Sequence, residues 1–196
     1  MRNELSLPVR FRDKTLLGFK GYEDKVGIAK NSISEGKSLF LYGPNGTGKT
    51  HLAVGLLYDW FVRGIKYGHD WLSEKQEKIY PKIPMFIPSV EFFLELKSSF
   101  DSKVSELEII DKYSHGLLLL DDLGAEKVSD WSRQVCYTLI DRRYREMQPT
   151  IITSNLGLNE LAKTIDERIA SRIVEMGAVV KLEGKDYRLG LSETSR

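Results

Sequence analysis

The sequence predicts an α/β fold, a parallel sheet with helices on both faces, in a single domain over residues 1–196. Three observations predict it. Short runs of consecutive apolar residues recur along the chain, as strands buried on both faces require. Apolar residues at helical spacing separate them. The first run also enters a glycine-rich turn that opens directly into such a helix.

Ser38-Leu39-Phe40-Leu41-Tyr42 is the first run and ends at Gly43. From Lys49 onward Leu52, Ala53, Leu56, Leu57, Trp60 and Phe61 share a helical face, and Gly64 is the expected stop. Residues 65–84 carry Gly68, His69, Asp70, Pro81 and Pro84 around a polar run, which reads as an inserted loop. Met85-Phe86-Ile87 is a second strand, and Phe92, Phe93, Leu96 and Phe100 form a stripe on the helix after it, read first as packing. Leu117 to Leu120 is a fully buried strand running into Asp121-Asp122, with Trp131, Val135 and Leu139 on the following helix. Thr150 to Ser154 is another buried strand, followed by Asn155. Thr164-Ile165-Asp166-Glu167 matches a capping box, opening a helix with Ile165, Ile169, Ile173 and Met176 on one face and Gly177 at its end. Ala178 to Leu182 supplies the last strand. In such a sheet ligands bind at the carboxyl ends of the strands.

Composition narrows the function classes. The chain is 41% hydrophobic and 29% charged, with no apolar run near the roughly 20 residues of a membrane span, so no membrane role is expected. The start lacks the pattern of a secretory signal and the single cysteine, Cys136, has no partner, so a cytoplasmic protein is expected and Cys136 reads as core. A net charge of +1 gives no global attraction to nucleic acid, and any such contact must be a local patch.

Gly43-Pro44-Asn45-Gly46-Thr47-Gly48-Lys49-Thr50 carries chemistry. Binding phosphate requires backbone N–H groups converging on one point, which glycines permit because they reach positive φ without a Cβ in the way. The helix from Lys49 aims its positive end at the phosphates, Lys49 reaches the β and γ phosphates, and Thr50 offers a hydroxyl to Mg²⁺; His51 follows on the same turn. Asp121, ending an apolar strand, is placed to hold the metal, and Asp122 to orient or polarise an attacking water. ATP and Mg²⁺ are therefore the expected cofactors.

With these motifs in order the chain resembles the AAA+ ATPases, a P-loop NTPase family, and within it the clade of the helicase loaders DnaC and DnaI and the transposition helper IstB. The resemblance rests on Gly-Thr-Gly-Lys-Thr-His-Leu-Ala (46–53), Leu-Leu-Leu-Leu-Asp-Asp-Leu-Gly-Ala-Glu (117–126), Ile-Ile-Thr-Ser-Asn (151–155) and Asp-Glu-Arg-Ile-Ala-Ser-Arg-Ile (166–173). It implies that Asn155 is the sensor 1 residue at the γ-phosphate. It also implies that Arg172 is an arginine finger acting in trans, with Arg168 one turn earlier, so that the site is completed in an ATP-dependent homo-oligomer. Residues 1–36 resemble the segment flanking the adenine, with Phe11, Leu16 and Phe19 as contacts, although packing on the sheet accounts for them equally. The resemblance implies a replicative helicase loader acting in DNA replication, with a replicative DNA helicase and single-stranded DNA as partners; the alternatives are an IstB-like transposition helper and a nucleotide-gated interaction module with negligible hydrolysis.

The chain departs from the pattern in three places. Asp122 stands where many AAA+ proteins have Glu, so slow hydrolysis is expected. The residues after Leu182 are too few for the usual helical lid, expected to be absent or vestigial, with Arg188 the candidate for its sensor 2 arginine. Those before Ser38 are too few for a loader's separate amino-terminal domain: either the chain is the ATPase domain of a longer protein, or it is a compact member that docks helicase by another surface, with residues 65–84 and the Phe92, Phe93, Phe100 helix as candidates. On that helix Lys97 and Lys103 can track phosphates beside a stacking Phe100, or be merely solvated. Arg142, Arg143 and Arg145 read as cations favoured at a helix carboxyl end.

Overall fold

The computed structural model describes residues 5, 7–67, 83–101, 103–125, 128–184 and 186–187, without the side chains of 64–67 and 101. Its five strands are β1 Ser38–Tyr42, β2 Met85–Pro88, β3 Leu118–Asp121, β4 Thr150–Ser154 and β5 Gly177–Lys181. All neighbours pair in parallel, in the order β2-β3-β4-β1-β5. Among the described residues seven α-helices accompany them: α1 Glu23–Ser34, α2 Lys49–Tyr67, α3 Ser89–Ser98, α4 Glu106–Lys112, α5 Asp130–Arg145, α6 Leu158–Thr164 and α7 Glu167–Met176. The expected α/β sheet is present.

Successive strand residues feed two separate cores, which explains the unbroken apolar runs. Leu39, Leu41, Leu117, Leu119, Ile151 and Val180 join Leu52, Leu56, Leu57 and Phe61 of α2 and Ile33 of α1 on one face. Phe40, Leu118, Leu120 and Ile152 join Phe92 and Leu96 of α3, Leu139 and Ile140 of α5, and Ile169 and Ile173 of α7 on the other. Cys136 is 1% exposed in this second core. Each large apolar side chain so buried contributes about 1.5–3 kcal/mol, an upper estimate. That outweighs the roughly 1 kcal/mol that each of Gly55 and Gly64 costs inside α2, so the helix passes Gly64 and runs to Tyr67.

Three helices have no counterpart in the sequence reading. α1 lies within residues 1–36 and buries only Ala29, Ser32 and Ile33. α4 opens with a reciprocal capping box of Ser105 and Glu108, an S-x-x-E signal legible in the sequence. α6 takes in Thr164 as its last residue, so the box expected at Thr164 to Glu167 does not form; the N-cap of α7 is Asp166, whose side chain accepts from the N–H of Arg168. In α3 the stripe holds for Phe92, Phe93 and Leu96, but Phe100 falls in a 3₁₀ turn and is 62% exposed. Most of the expected insertion (68–82), and Arg188 with the lid region, lie outside the described residues. Among the described residues no helix is long and apolar enough to cross a membrane.

Candidate nucleotide-binding site

The order of the strands puts the end of β1 beside that of β4, with β3 next in line. The Gly43 N–H donates to Ser154 O at 3.3 Å, and the Thr47 hydroxyl closes the loop on Pro44 O at 2.9 Å. Gly46 and Gly48 take φ of +77° and +92°, a region that side chains disfavour. A Cβ on Gly48 would stand 2.7 Å from the Phe19 ring, and one on Gly46 would collide with the Asp186 carboxylate. Pro44 and Asn45 are exposed. The first-turn N–H groups of α2 have no intrahelical acceptors and point into the loop, as helix geometry dictates.

Lys49 is 7% exposed and its ammonium donates to Gly43 O (2.7 Å), Pro44 O (2.8 Å) and Asn155 Oδ1 (2.8 Å). Asn155 in turn donates through Nδ2 to Asp122 Oδ1 at 2.9 Å. These two partners fix the amide's orientation, oxygen to the cation and nitrogen to the carboxylate. Expected at the end of a buried strand, Asn155 is exposed; it is held by partners on either side rather than by burial.

Asp121 is 7% exposed and accepts from Thr50 Oγ1 at 2.9 Å and Thr153 Oγ1 at 2.6 Å. Burial raises its pKa above the ordinary carboxylate range; the two hydroxyl bonds and nearby Lys49 pull it down, while Asp122 pushes it up. Asp122 has φ of +58°, which turns the chain sharply out of β3. Thr153 Oγ1 accepts from the Asp122 N–H (2.8 Å) and Ser89 Oγ donates to Asp122 O (2.9 Å), holding that turn. Thr153 and Ser89 were missed as site residues; a hydroxyl inside an apolar strand, which must find a polar partner, was the available signal for Thr153.

The residues fit a magnesium nucleotide. A hydroxyl and a carboxylate within 2.9 Å are the hard oxygen donors magnesium takes, with waters and phosphate oxygens completing its shell. The loop and Lys49 supply N–H groups and a cation for the phosphates. His51 differs from expectation: its Nε2–H donates to Thr15 O at 3.1 Å, and its ring meets Phe19 edge-on at 5.3 Å, so its side chain fastens the amino-terminal segment. Burial lowers its pKa, against the opposing bond to Thr15, and keeps it neutral at pH 7. Phe11, Leu16 and Phe19 pack against the core of the α2 face. The carboxyl-terminal segment closes on the same loop, where the Tyr187 N–H donates to Gly46 O at 3.2 Å.

Arg172 is not brought to its own chain's phosphate loop. It reaches from α7 to α5, where Nε donates to Asp141 Oδ1 (2.8 Å) and Nη2 to the Tyr137 hydroxyl (2.8 Å). Arg168 pairs with Asp166 at 2.8 Å. Neither Asp141 nor Tyr137 was singled out from the sequence, since the helix packing that unites them with Arg172 leaves no local mark.

A family model described as IstB-like ATP binding protein matches residues 82–195, more than half of the chain. The phosphate loop lies outside that match and is a separate indication. The chain is 28% identical over 171 residues to the replicative helicase loader DnaI of Bacillus subtilis (strain 168), covering 81% of this chain and 50% of that protein. It is 25% identical over 138 residues to the replicative helicase loader DnaC of Escherichia coli (strain K12), covering 69% and 49%. It thus spans about half the length of these curated relatives. A crystal structure of the DnaC helicase loader superposes with a TM-score of 0.70 at 25% identity, over 90% of this chain and 100% of that one. With the parallel sheet, the glycine loop and the strand-end acids in their places, the chain belongs to the IstB-like ATP-binding protein family, on the AAA+ fold of the DnaC and DnaI loaders.

Proposed function

We propose that the chain binds Mg-ATP at this site, hydrolyses it slowly between subunits, and acts as a replicative helicase loader on single-stranded DNA. The observation that carries the catalytic part is the hydrogen-bonded chain Lys49–Asn155–Asp122 beside the Thr50–Asp121 pair. It gathers a cation, a neutral amide, a carboxylate bonded to that amide and a metal-binding pair. Bound magnesium neutralises phosphate charge. Thr50 and Asp121 would hold it, Lys49 would draw on the γ-phosphate, and Asn155 would orient a water for Asp122 to polarise. Arg172 of a neighbouring subunit completes the charge stabilisation; in its own chain the side chain is bonded to Asp141 and Tyr137 of α5.

The loader reading is supported by the relatives that carry that name, and the DNA partner by the surface after α3. There Phe100 leans on Trp131 with ring centroids 5.7 Å apart, Lys97 Nζ lies 5.8 Å from the Trp131 ring, and Lys103 is exposed nearby in the chain. An exposed aromatic with flanking cations suits unstacked bases and phosphates. The family model favours a second reading, an IstB-like transposition helper, which would prefer duplex DNA.

Replacing Lys49 by Ala is the direct test of the site. Loss of a charge-assisted contact of about 1.5–3 kcal/mol weakens binding of a fluorescent ATP analogue roughly 10- to 100-fold; unchanged affinity would reject the site. A pull-down with replicative helicase, with and without ATP and single-stranded DNA, tests the loader role, and preference for duplex DNA with no helicase retained moves the assignment to the transposition helper. ATP binding without phosphate release in the assembled form would leave a nucleotide-gated interaction module.

A further inference from the structure

Arg172 is anchored with more care than a surface arginine needs. Nη2 lies 2.6 Å from Asp141 Oδ1, in addition to the Nε and Tyr137 bonds, so Nε and Nη2 face α5 together. The guanidinium stands over the Tyr137 ring, 4.7 Å from its centroid, and over the Tyr144 ring at 5.4 Å. Its side chain is 23% exposed and that of Asp141 18%. The second oxygen of Asp141 is engaged too, accepting from Arg145 Nε at 3.0 Å, so the carboxylate is itself held in orientation. Nη1 of Arg172 takes part in none of these bonds. Arg168, by contrast, is 61% exposed and is explained by the α7 N-cap, which it grips through Asp166 while stacking on Tyr137 at 4.3 Å.

We propose that Asp141, with Tyr137, is a positioning residue for Arg172: the pair fixes one edge of the guanidinium and presents Nη1 to a phosphate bound by a neighbouring copy of the chain. The proposal rests on the in-trans reading above. A long arginine side chain loses much rotamer freedom when it is fixed, and a finger ordered before assembly does not incur that loss at the interface. Asp141 holds it by a charged hydrogen bond on the edge away from Nη1, and Tyr137 by a hydroxyl and a ring face. Neither residue touches nucleotide; both act through Arg172.

Mixed subunits separate this role from a structural one. Lys49→Ala protein supplies fingers without a working site, and Arg172→Ala protein supplies sites without fingers. Mixed with ATP and single-stranded DNA, they recover turnover that neither shows alone. Asp141→Asn in the finger donor lowers the kcat of the mixture about tenfold with KM unchanged, as loss of an oriented group acting only in the transition state should. The same substitution in the site donor, whose own Arg172 is already Ala, leaves turnover at the level of the unsubstituted mixture. Tyr137→Phe in the finger donor gives a smaller loss, and Asp141→Glu recovers part of the activity. Equal loss in both arms assigns Asp141 a structural role and overturns the proposal, as does no loss in either. If Asp141→Asn protein does not fold, the two Tyr137→Phe arms decide by the same criterion. No recovered turnover in the unsubstituted mixture overturns the in-trans reading itself, and the proposal with it; recovered turnover indifferent to Asp141 overturns the proposal alone.

Discussion

Arg143 heads the fully buried side chains by volume, at 0% exposure, although its neighbours Arg142 and Arg145 lie on the surface and pair with Asp111 and Asp141. Its guanidinium donates to Tyr113 O (2.5 Å), Gly116 O (2.5 Å), Pro149 O (2.7 Å) and Thr150 Oγ1 (2.8 Å). It therefore ties the end of α4 to the entrances of β3 and β4, at the opposite end of those strands from the phosphate loop. Burial pushes its pKa down to about 9, which still leaves it charged at pH 7. Replacing it by Leu removes the guanidinium from Tyr113 O and Gly116 O, leaves Pro149 O with the Leu118 N–H and the Thr150 hydroxyl with Gln148 O, and by analogy with broken buried polar networks costs about 3–5 kcal/mol. Lys destabilises as well, since one ammonium on a flexible stem does not reproduce the planar fork. Urea unfolding of both variants measures this; a midpoint unchanged from the parent's would show the network to be dispensable.

At the scale of elements, α7 is held at its start by one residue. Asp166 accepts from the Arg168 N–H at 2.8 Å and from its guanidinium at 2.8 and 3.0 Å. The side-chain bond to Arg168 is the main cause holding its pKa below the ordinary carboxylate value. Asp166→Ala is expected to cost about 0.5–2 kcal/mol at pH 7, the usual worth of an N-cap. Because the folded pKa is depressed, that contribution is complete above the unfolded carboxylate pKa and disappears as pH falls through the folded value. Parent and variant should thus differ in denaturant midpoint at neutral pH and converge in acid. A gap that persists in acid would mean that the cap does not act through its charge. The same helix positions Arg172, so the variant should also lower turnover in the assembled form more than it lowers nucleotide binding.

For the molecule as a whole, the site draws on β1, β3 and β4, on α2 and on both terminal segments, so ligand binding links elements remote in sequence. Mg-ATP at about 100 times its dissociation constant adds about 2.7 kcal/mol to the folded state, which for a chain of this size raises Tm by roughly 5–10 °C. Lys49→Ala, with binding weakened roughly 10- to 100-fold, should cut the gain at the same concentration to about 0.4–1.4 kcal/mol, and no shift with the parent protein would contradict the nucleotide site. Assembly belongs to the same scale. Light scattering should show a larger particle with ATP than without it, and binding to single-stranded DNA should weaken as salt rises, as phosphate contacts require.

The sequence by itself determined the strands, the phosphate loop and its acids, because these depend on neighbours in the chain. A strand buried on both faces must be apolar throughout, so Leu117 to Leu120 and Thr150 to Ser154 were legible. The loop must carry glycines, a lysine and a threonine at fixed spacing, so Gly43 to Thr50 was legible too. The helix α1 was not, since its few apolar residues give little periodic signal, and α6 was hidden by a capping pattern that belongs to no helix start. Only the tertiary structure decided that Asn155 joins Lys49 to Asp122, that Arg143 is buried while its neighbours are not, and that Arg172 meets Asp141. The reason is physical: apolar periodicity and turn chemistry act over a few residues, whereas polar partners are assigned by which helix packs against which strand or helix. For Arg172 and Asp141 that is the packing of α7 on α5, two elements separated in the chain by a strand and another helix.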